Sequence, residues 1–286
     1  LAAIRALDGK PPVGVTLFVE GEEEIGSSSM EAIIAKHKDE LAADVIVVAD
    51  SVNWEQGVPS VTTTLRGVVD CVVEVSTLDH ALHSGQFGGI VPDALTTLCR
   101  LIATLHDESG EVTVDGLQGF AGPELDYPED RLREETGVLD GVQWVGQGRA
   151  VEKMWTKPSV TVIAIDATPV ADAINILPAS ARAKISLRVA PGQDAGEAME
   201  ALVRHLESHI EFGAHIKVTR GQLGQPGVVP FTGDKADVAK EAFRLAWGQE
   251  PVEMGTGGAI PLVTDLQHAF PSATVLVTAV TDPDSR

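Results

Sequence analysis

The chain has 286 residues, 44% of them hydrophobic and 22% charged, enough apolar content to bury one sizeable core or two smaller ones, which excludes disorder, collagen and coiled coil. Lys+Arg 21 against Asp+Glu 42 gives a formal net charge of −21, which repels phosphate backbones and anionic headgroups, so neither nucleic acid nor a membrane is an expected partner. The two cysteines, Cys71 and Cys99, have no Cys-x-x-Cys spacing, so zinc held by thiolates is excluded and a reducing, cytoplasmic location is expected.

Purely apolar runs are no longer than that at 45–49, far short of the roughly 20 residues of a membrane span. The opening LAAIRALDGKPP has no Met, no long apolar region and no cleavage pattern, and the expectation is a chain truncated from a longer one. In chain order, VGVTLFVE at 13–20 follows Pro11-Pro12 and stops at Gly21, the pattern of a buried strand. Ser27, Ser28 and Ser29 then offer N-cap oxygens to a helix with Met30, Ile33, Ile34 and Leu41 at its apolar positions. DVIVVAD at 44–50 is again an apolar run ending in a carboxylate. Strand, helix and strand are expected to form a parallel β-α-β unit with functional groups at the strand ends.

From about Val61 the pattern turns to long alternating stretches, VTTTLRGVVDCVVEVST, SVTVIAID and ARAKISLRV, which suit an antiparallel sheet with one covered face. Two helices accompany them, at about 92–106 and 195–210, the second with the stripe Met199, Leu202, Val203, Leu206 and Ile210. Residues 107–157, rich in Gly, Pro, Asp and Glu, read as an irregular excursion. A helical period at 235–247 and a strand-like run at 273–280 then return the chain to the first domain.

EGEEEIGSSS places three consecutive carboxylates at a strand end, where mutual repulsion is relieved by a cation or by solvent. It can serve metal and proton chemistry, or be an acidic loop that favours the following helix N-terminus. Asp50 adds a hard oxygen donor from the next loop, which with Glu24 suits Zn²⁺, Mn²⁺ or a similar ion. In STLDHALHSGQFGG, His83 is the better of two histidines to donate to a developing oxyanion, the alternative being a local cap. The glycines Gly85, Gly88 and Gly89 lack the spacing of a phosphate loop. HLESH at 205–209 lacks the Glu of the zincin pattern and reads as a solvated helix face. No G-x-S-x-G elbow is present.

VEGEEEIGS, VVADS, LRGVVDCVVEV, DHALHSGQFGG, INILP, KISLRVAP and GGAIP, in that order, resemble the co-catalytic metallopeptidase family of carnosinase-type dipeptidases, acetylornithine deacetylase, succinyl-diaminopimelate desuccinylase and glutamate carboxypeptidase. LHSGQFGG and LRG resemble the dipeptidase branch most. The resemblance implies an α/β, zinc-peptidase-like catalytic domain at 1–62 and 229–286, with an α+β, ferredoxin-like lid and dimerisation domain inserted at 63–228. It also implies two divalent metal ions, Zn (or Mn/Co), a small peptide substrate and a homodimer formed through the lid.

By the same resemblance Glu23 matches the general base, Glu24 and Asp50 match metal ligands, and His83 matches a lid histidine that reaches the partner's active site. Asn175 and Arg188 fall where lid residues contact substrate, Arg188 suiting a terminal carboxylate. Ala259 stands where the dipeptidase pattern commonly has Ser, so a contact there would come from a backbone N–H. A first His-x-Asp motif and a last His ligand have no counterpart in the chain, which is expected to be inactive alone. The expected reaction is hydrolysis of a dipeptide by a metal-activated water. The alternatives are an N-acyl amino acid deacylase of the same family and a non-catalytic dimerising fragment.

Overall fold

The structure is a computed structural model and describes residues 12–22, 27, 29–279 and 281–283. MEAIIAK winds into α1 (Met30–Lys36), burying Met30 and Ile34 one turn apart, and His37 passes the chain to α2 (Lys38–Leu41). β1 (Val45–Ala49) and β2 (Ser60–Leu65) follow, and after the single residue Arg66 the chain enters β3 (Gly67–Ser76). Next come β4 (Leu82–His83), α3 (Ser84–Phe87), α4 (Ala94–Ala103), α5 (Glu129–Thr136), α6 (Ala150–Trp155), β5 (Ser159–Asp166), β6 (Ile176–Leu177) and β7 (Ser180–Val189). The order closes with α7 (Ala195–Ser208), β8 (His215–Gly224), β9 (Gly227–Val228), α8 (Asp234–Trp247), β10 (Val252–Thr256), α9 (Pro261–Ala269) and β11 (Thr274–Thr278).

Two main sheets result. The first runs β1-β11-β2-β10, with β9 also on β2. Within it β1 is parallel to β11 and β2 to β10, while β11 meets β2 antiparallel. Its core joins Met30 and Ile34 of α1 to Val48, Leu65, Val277 and, from α9, Val263 and Leu266.

The second sheet runs β5-β7-β3-β8, every neighbouring pair antiparallel. With α4 after β3 and α7 after β7, this is the ferredoxin-like arrangement expected of the lid. Alternation buries Val69, Cys71, Val73 and Val75 of β3 and Ile185 and Leu187 of β7 against Leu98 and Leu101 of α4 and Leu202 and Leu206 of α7. Both helices start on an aspartate cap: Asp93 accepts from the Thr96 N–H at 2.6 Å, Asp194 from that of Glu197 at 2.9 Å.

The sheets are joined by a ribbon. Thr64 pairs Val228, Leu65 pairs Gly227 and Val68 pairs Gly224, so the outgoing and returning chains keep one antiparallel register across the junction. A Cβ on Gly67 would lie 2.6 Å from the Gly224 oxygen, so glycine is required where the ribbon narrows.

Several expectations are corrected. Residues 13–20 form no strand, and Val13, Val15, Leu17 and Val19 are exposed, because an apolar run becomes a strand only where a neighbour completes its ladder. The parallel partner of β1 is therefore β11. The stretch VTTTLRGVVDCVVEVST is two strands in different sheets, broken at Arg66, whose N–H donates to the Thr256 oxygen at 3.3 Å. Ser29 precedes α1 without capping it, since its hydroxyl donates to Glu22 at 2.5 Å.

The excursion holds α5 and α6, and Trp155 of α6 packs with Trp54 and Met254 of the first sheet's loops and strands. Arg131 lies over the Trp54 ring at 4.6 Å and the Tyr127 ring at 4.9 Å, which anchors α5 to the same cluster. His205 is buried rather than solvated: its Nε2 is 3.0 Å from the Thr104 hydroxyl on the adjoining α4 segment, and its ring stacks on His209 at 4.0 Å.

Candidate active site

The residues singled out in the sequence gather at three places. The first is the acidic loop. Glu20 accepts from the Ser27 hydroxyl and Glu22 from that of Ser29, and the Ser27 N–H donates to the Glu22 oxygen at 2.9 Å, so the two serines lie against these two carboxylates. Oε2 of Glu20 is buried with no hydrogen-bond partner among the described residues. Glu23 and Glu24 lie outside the described residues.

Asp50 is the residue after β1 and is exposed. Its loop is fastened by Asn53, whose N–H donates to the Thr281 oxygen at 2.8 Å and whose side-chain amide donates to Asp282 at 3.1 Å. Asp50 offers the oxygen chemistry a divalent ion takes, but no group of three or more His, Cys, Asp or Glu side chains able to hold a metal forms among the described residues. The described residues alone do not make a metal site.

The second place joins His83 to Asn175. β4 and β6 pair through Leu82–Leu177 and His83–Ile176, and the Ser84 N–H donates to the Asn175 oxygen at 3.0 Å, so residues far apart in sequence share one exposed edge. His83 caps α3: its Nδ1 accepts from the Gly85 N–H at 3.1 Å. A neutral ring that accepts at Nδ1 carries its proton on Nε2, where it can donate.

The third place is the junction of the sheets. Arg188 of β7 sits in register with Val68 of β3 on one side and Ser159 of β5 on the other. Arg66, which the sequence reading touches only as part of LRG, is half-buried beside it. Its Nη1 donates to Ser159 Oγ at 3.1 Å and to the carbonyls of Lys153 and Lys157 at 3.3 and 3.4 Å. Burial, and after it the Arg188 charge, hold Arg66 down at about 10. A Cβ on Gly257 would be 2.8 Å from its Nη2, so the loop that carries Ala259 two residues on approaches as bare backbone. No hydrogen bond or ion pair joins these three places among the described residues.

Residues 63–214 match the family model described as the peptidase dimerisation domain. Over 290 residues the chain is 33% identical to the cysteinylglycine-S-conjugate dipeptidase of Corynebacterium striatum, covering 99% of this chain and 64% of that protein. It is 27% identical over 295 residues to the Beta-Ala-His dipeptidase of Homo sapiens, covering 97% of this chain and 58% of that protein. The crystal structure of human carnosine dipeptidase 1 superposes with a TM-score of 0.77 at 25% identity, covering 99% of this chain and 63% of the other. That of the dipeptidase Dug1p from Saccharomyces cerevisiae superposes with a TM-score of 0.76 at 22% identity, covering 92% of this chain and 58% of the other. The chain thus spans less than two thirds of the length of these relatives. With more than half of its residues in the dimerisation-domain match, it belongs to the carnosinase-type metallopeptidase family that carries this domain.

Proposed function

We propose that this chain is part of a metal-dependent dipeptidase, cytoplasmic and homodimeric through its lid, with the catalytic domain at 1–62 and 229–286 and the lid at 63–228. The observation that carries the reading is its likeness to named dipeptidases over 99% of its length. In this reading Glu24 and Asp50 take metal and Glu23 takes a proton from the attacking water. Two divalent ions, zinc or else manganese or cobalt, would when bound polarise the scissile carbonyl. His83, protonated on Nε2, donates to the oxygen that gains charge, acting on the partner's active site. Asn175, on the same edge, contacts the peptide, Arg188 takes its terminal carboxylate, and the backbone at Ala259 supplies a further N–H.

The test is a parallel assay of small dipeptides and N-acetyl or N-succinyl amino acids on the intact parent protein. Hydrolysis of the dipeptides is expected, and activity on the acylated amino acids alone would replace the reading with a deacylase. Glu23→Gln is expected to lower turnover by about 100-fold or more with metal content unchanged, whereas Glu24→Ala lowers the metal content itself. Unchanged turnover in Glu23→Gln removes that residue as the base.

A further inference from the structure

We propose that Arg66 and the end of α6 form a floor that positions the glycine loop after β10, and with it the Ala259 N–H offered to the substrate. The proposal rests on the peptidase reading. It adds Arg66 as a positioning residue and gives the 107–157 excursion a part in the site.

The first argument is the close approach of backbones. β10 ends at Thr256, in register with Leu65, so Arg66 is the next residue of β2's chain beside the loop. The pairing shifts between Met254 and Gly255, where β2 carries Thr63 as an extra residue, a bulge of the kind that re-aims a strand end. Past the bulge, two glycines lie on the end of the excursion. A Cβ on Gly255 would be 2.6 Å from Cβ of Trp155; one on Gly257 would be 3.2 Å from the Met154 carbonyl oxygen and 2.8 Å from Nη2 of Arg66. Neither glycine has a left-handed φ, so it is the floor, and not the backbone conformation, that excludes a side chain at both.

The second argument is rigidity. Nη1 of Arg66 donates to the carbonyls of Lys153 and Lys157 and to Ser159 Oγ, and its main-chain N–H donates to the Thr256 oxygen at 3.3 Å. The tip of a long side chain ordinarily yields to a methyl group. A guanidinium is planar, however, so holding Nη1 at three acceptors fixes Nη2 under Gly257. Trp155 is buried and packs with Met254 of β10, which secures the other half of the floor. The loop above has few ties of its own: the Gly258 N–H donates to Thr256 Oγ1 at 3.3 Å, and the Ala259 N–H has no acceptor among the described residues. Such a donor serves a substrate oxygen only where the backbone behind it is held in place, because small displacements forfeit the alignment.

The experiment is a double-variant cycle in the intact parent protein, read as kcat and KM for glycylglycine. Gly257→Ala is expected to raise KM about ten-fold with little change in kcat. Arg66→Lys, which withdraws Nη2, is expected to raise KM as well, and in that background, where the methyl group has room, Gly257→Ala adds no more than about two-fold. A full effect of Gly257→Ala in both backgrounds, or none in either, overturns the proposal. If Arg66→Lys does not fold, Ser159→Ala, which frees one of the three ties on Nη1, takes its place in the cycle with the same outcomes. The cycle is also read without substrate, on the Ala259 amide resonance of the ¹⁵N-alanine-labelled chain: Gly257→Ala is expected to shift it, and to shift it less once Arg66 is replaced. Coupled shifts in a parent protein that hydrolyses no dipeptide keep the floor and remove the peptidase reading; hydrolysis without coupling removes the floor alone.

Discussion

At the scale of single residues, environment separates side chains that look alike in sequence. Cys71 is fully buried in the lid core, and burial, with the neighbouring Asp70 charge adding to it, pushes its thiol up to about 11, whereas Cys99 is exposed. The native protein is therefore expected to react rapidly with a disulfide reagent at one thiol and, once denatured, at two. Two rapidly reacting native thiols would contradict this placement. The linkage has a definite sign. Because the folded-state value lies above that of the unfolded thiol, the stabilisation from burying Cys71 protonated is intact below about pH 9 and is lost as the pH rises toward 11. Denaturant melts across that window should show the loss, and Cys71→Ala should lessen its slope while lowering stability at neutral pH.

At the scale of elements, α4 and α7 are held together by more than their leucines. His205 joins them through Thr104 and stacks on His209, and desolvation first, then the His209 charge, place its pKa below the ordinary 6.5. A histidine depressed in the folded state stabilises above its unfolded value and loses that contribution as the pH falls. Acidification below pH 6.5 should therefore weaken the lid, and His205→Gln, which keeps a partner for Thr104 without taking up a proton, should flatten that loss in thermal melts. An unchanged acid limb would rule out His205 as its source. Much at this scale is legible in the sequence: alternation announces β3, β5 and β7, and the 3.6-residue period announces α7, because in each one face meets the core. β8 passes unread because it is an edge strand whose HIKVTRGQLG is mostly exposed, and its apolar alternation stops after Ile216 and Val218. The candidate site is less legible. His83 meets Asn175 through two-residue strands too short to carry a period, and Arg66 meets Arg188 through a register that exists only once the strand order is known.

At the scale of the whole molecule, the two sheets have separate cores, and the Trp54, Trp155 and Met254 cluster ties the excursion to the first of them. Trp155→Ala should cost about 3–5 kcal/mol, the range for emptying a buried aromatic site, and should split unfolding into two transitions seen by calorimetry. A single transition at lowered temperature would mean that the ribbon alone couples the cores. That ribbon has a mechanical consequence. Both strand crossings between the sheets keep one register, from the Thr64–Val228 pair on one side of the junction to the Val68–Gly224 pair on the other. A shear of the lid along the strands would have to break the pairing of both chains together, whereas a bend across the ladder leaves it whole. The linkage is thus compliant in flexure and stiff in translation, and a lid that swings on it returns its side chains to the same register each time.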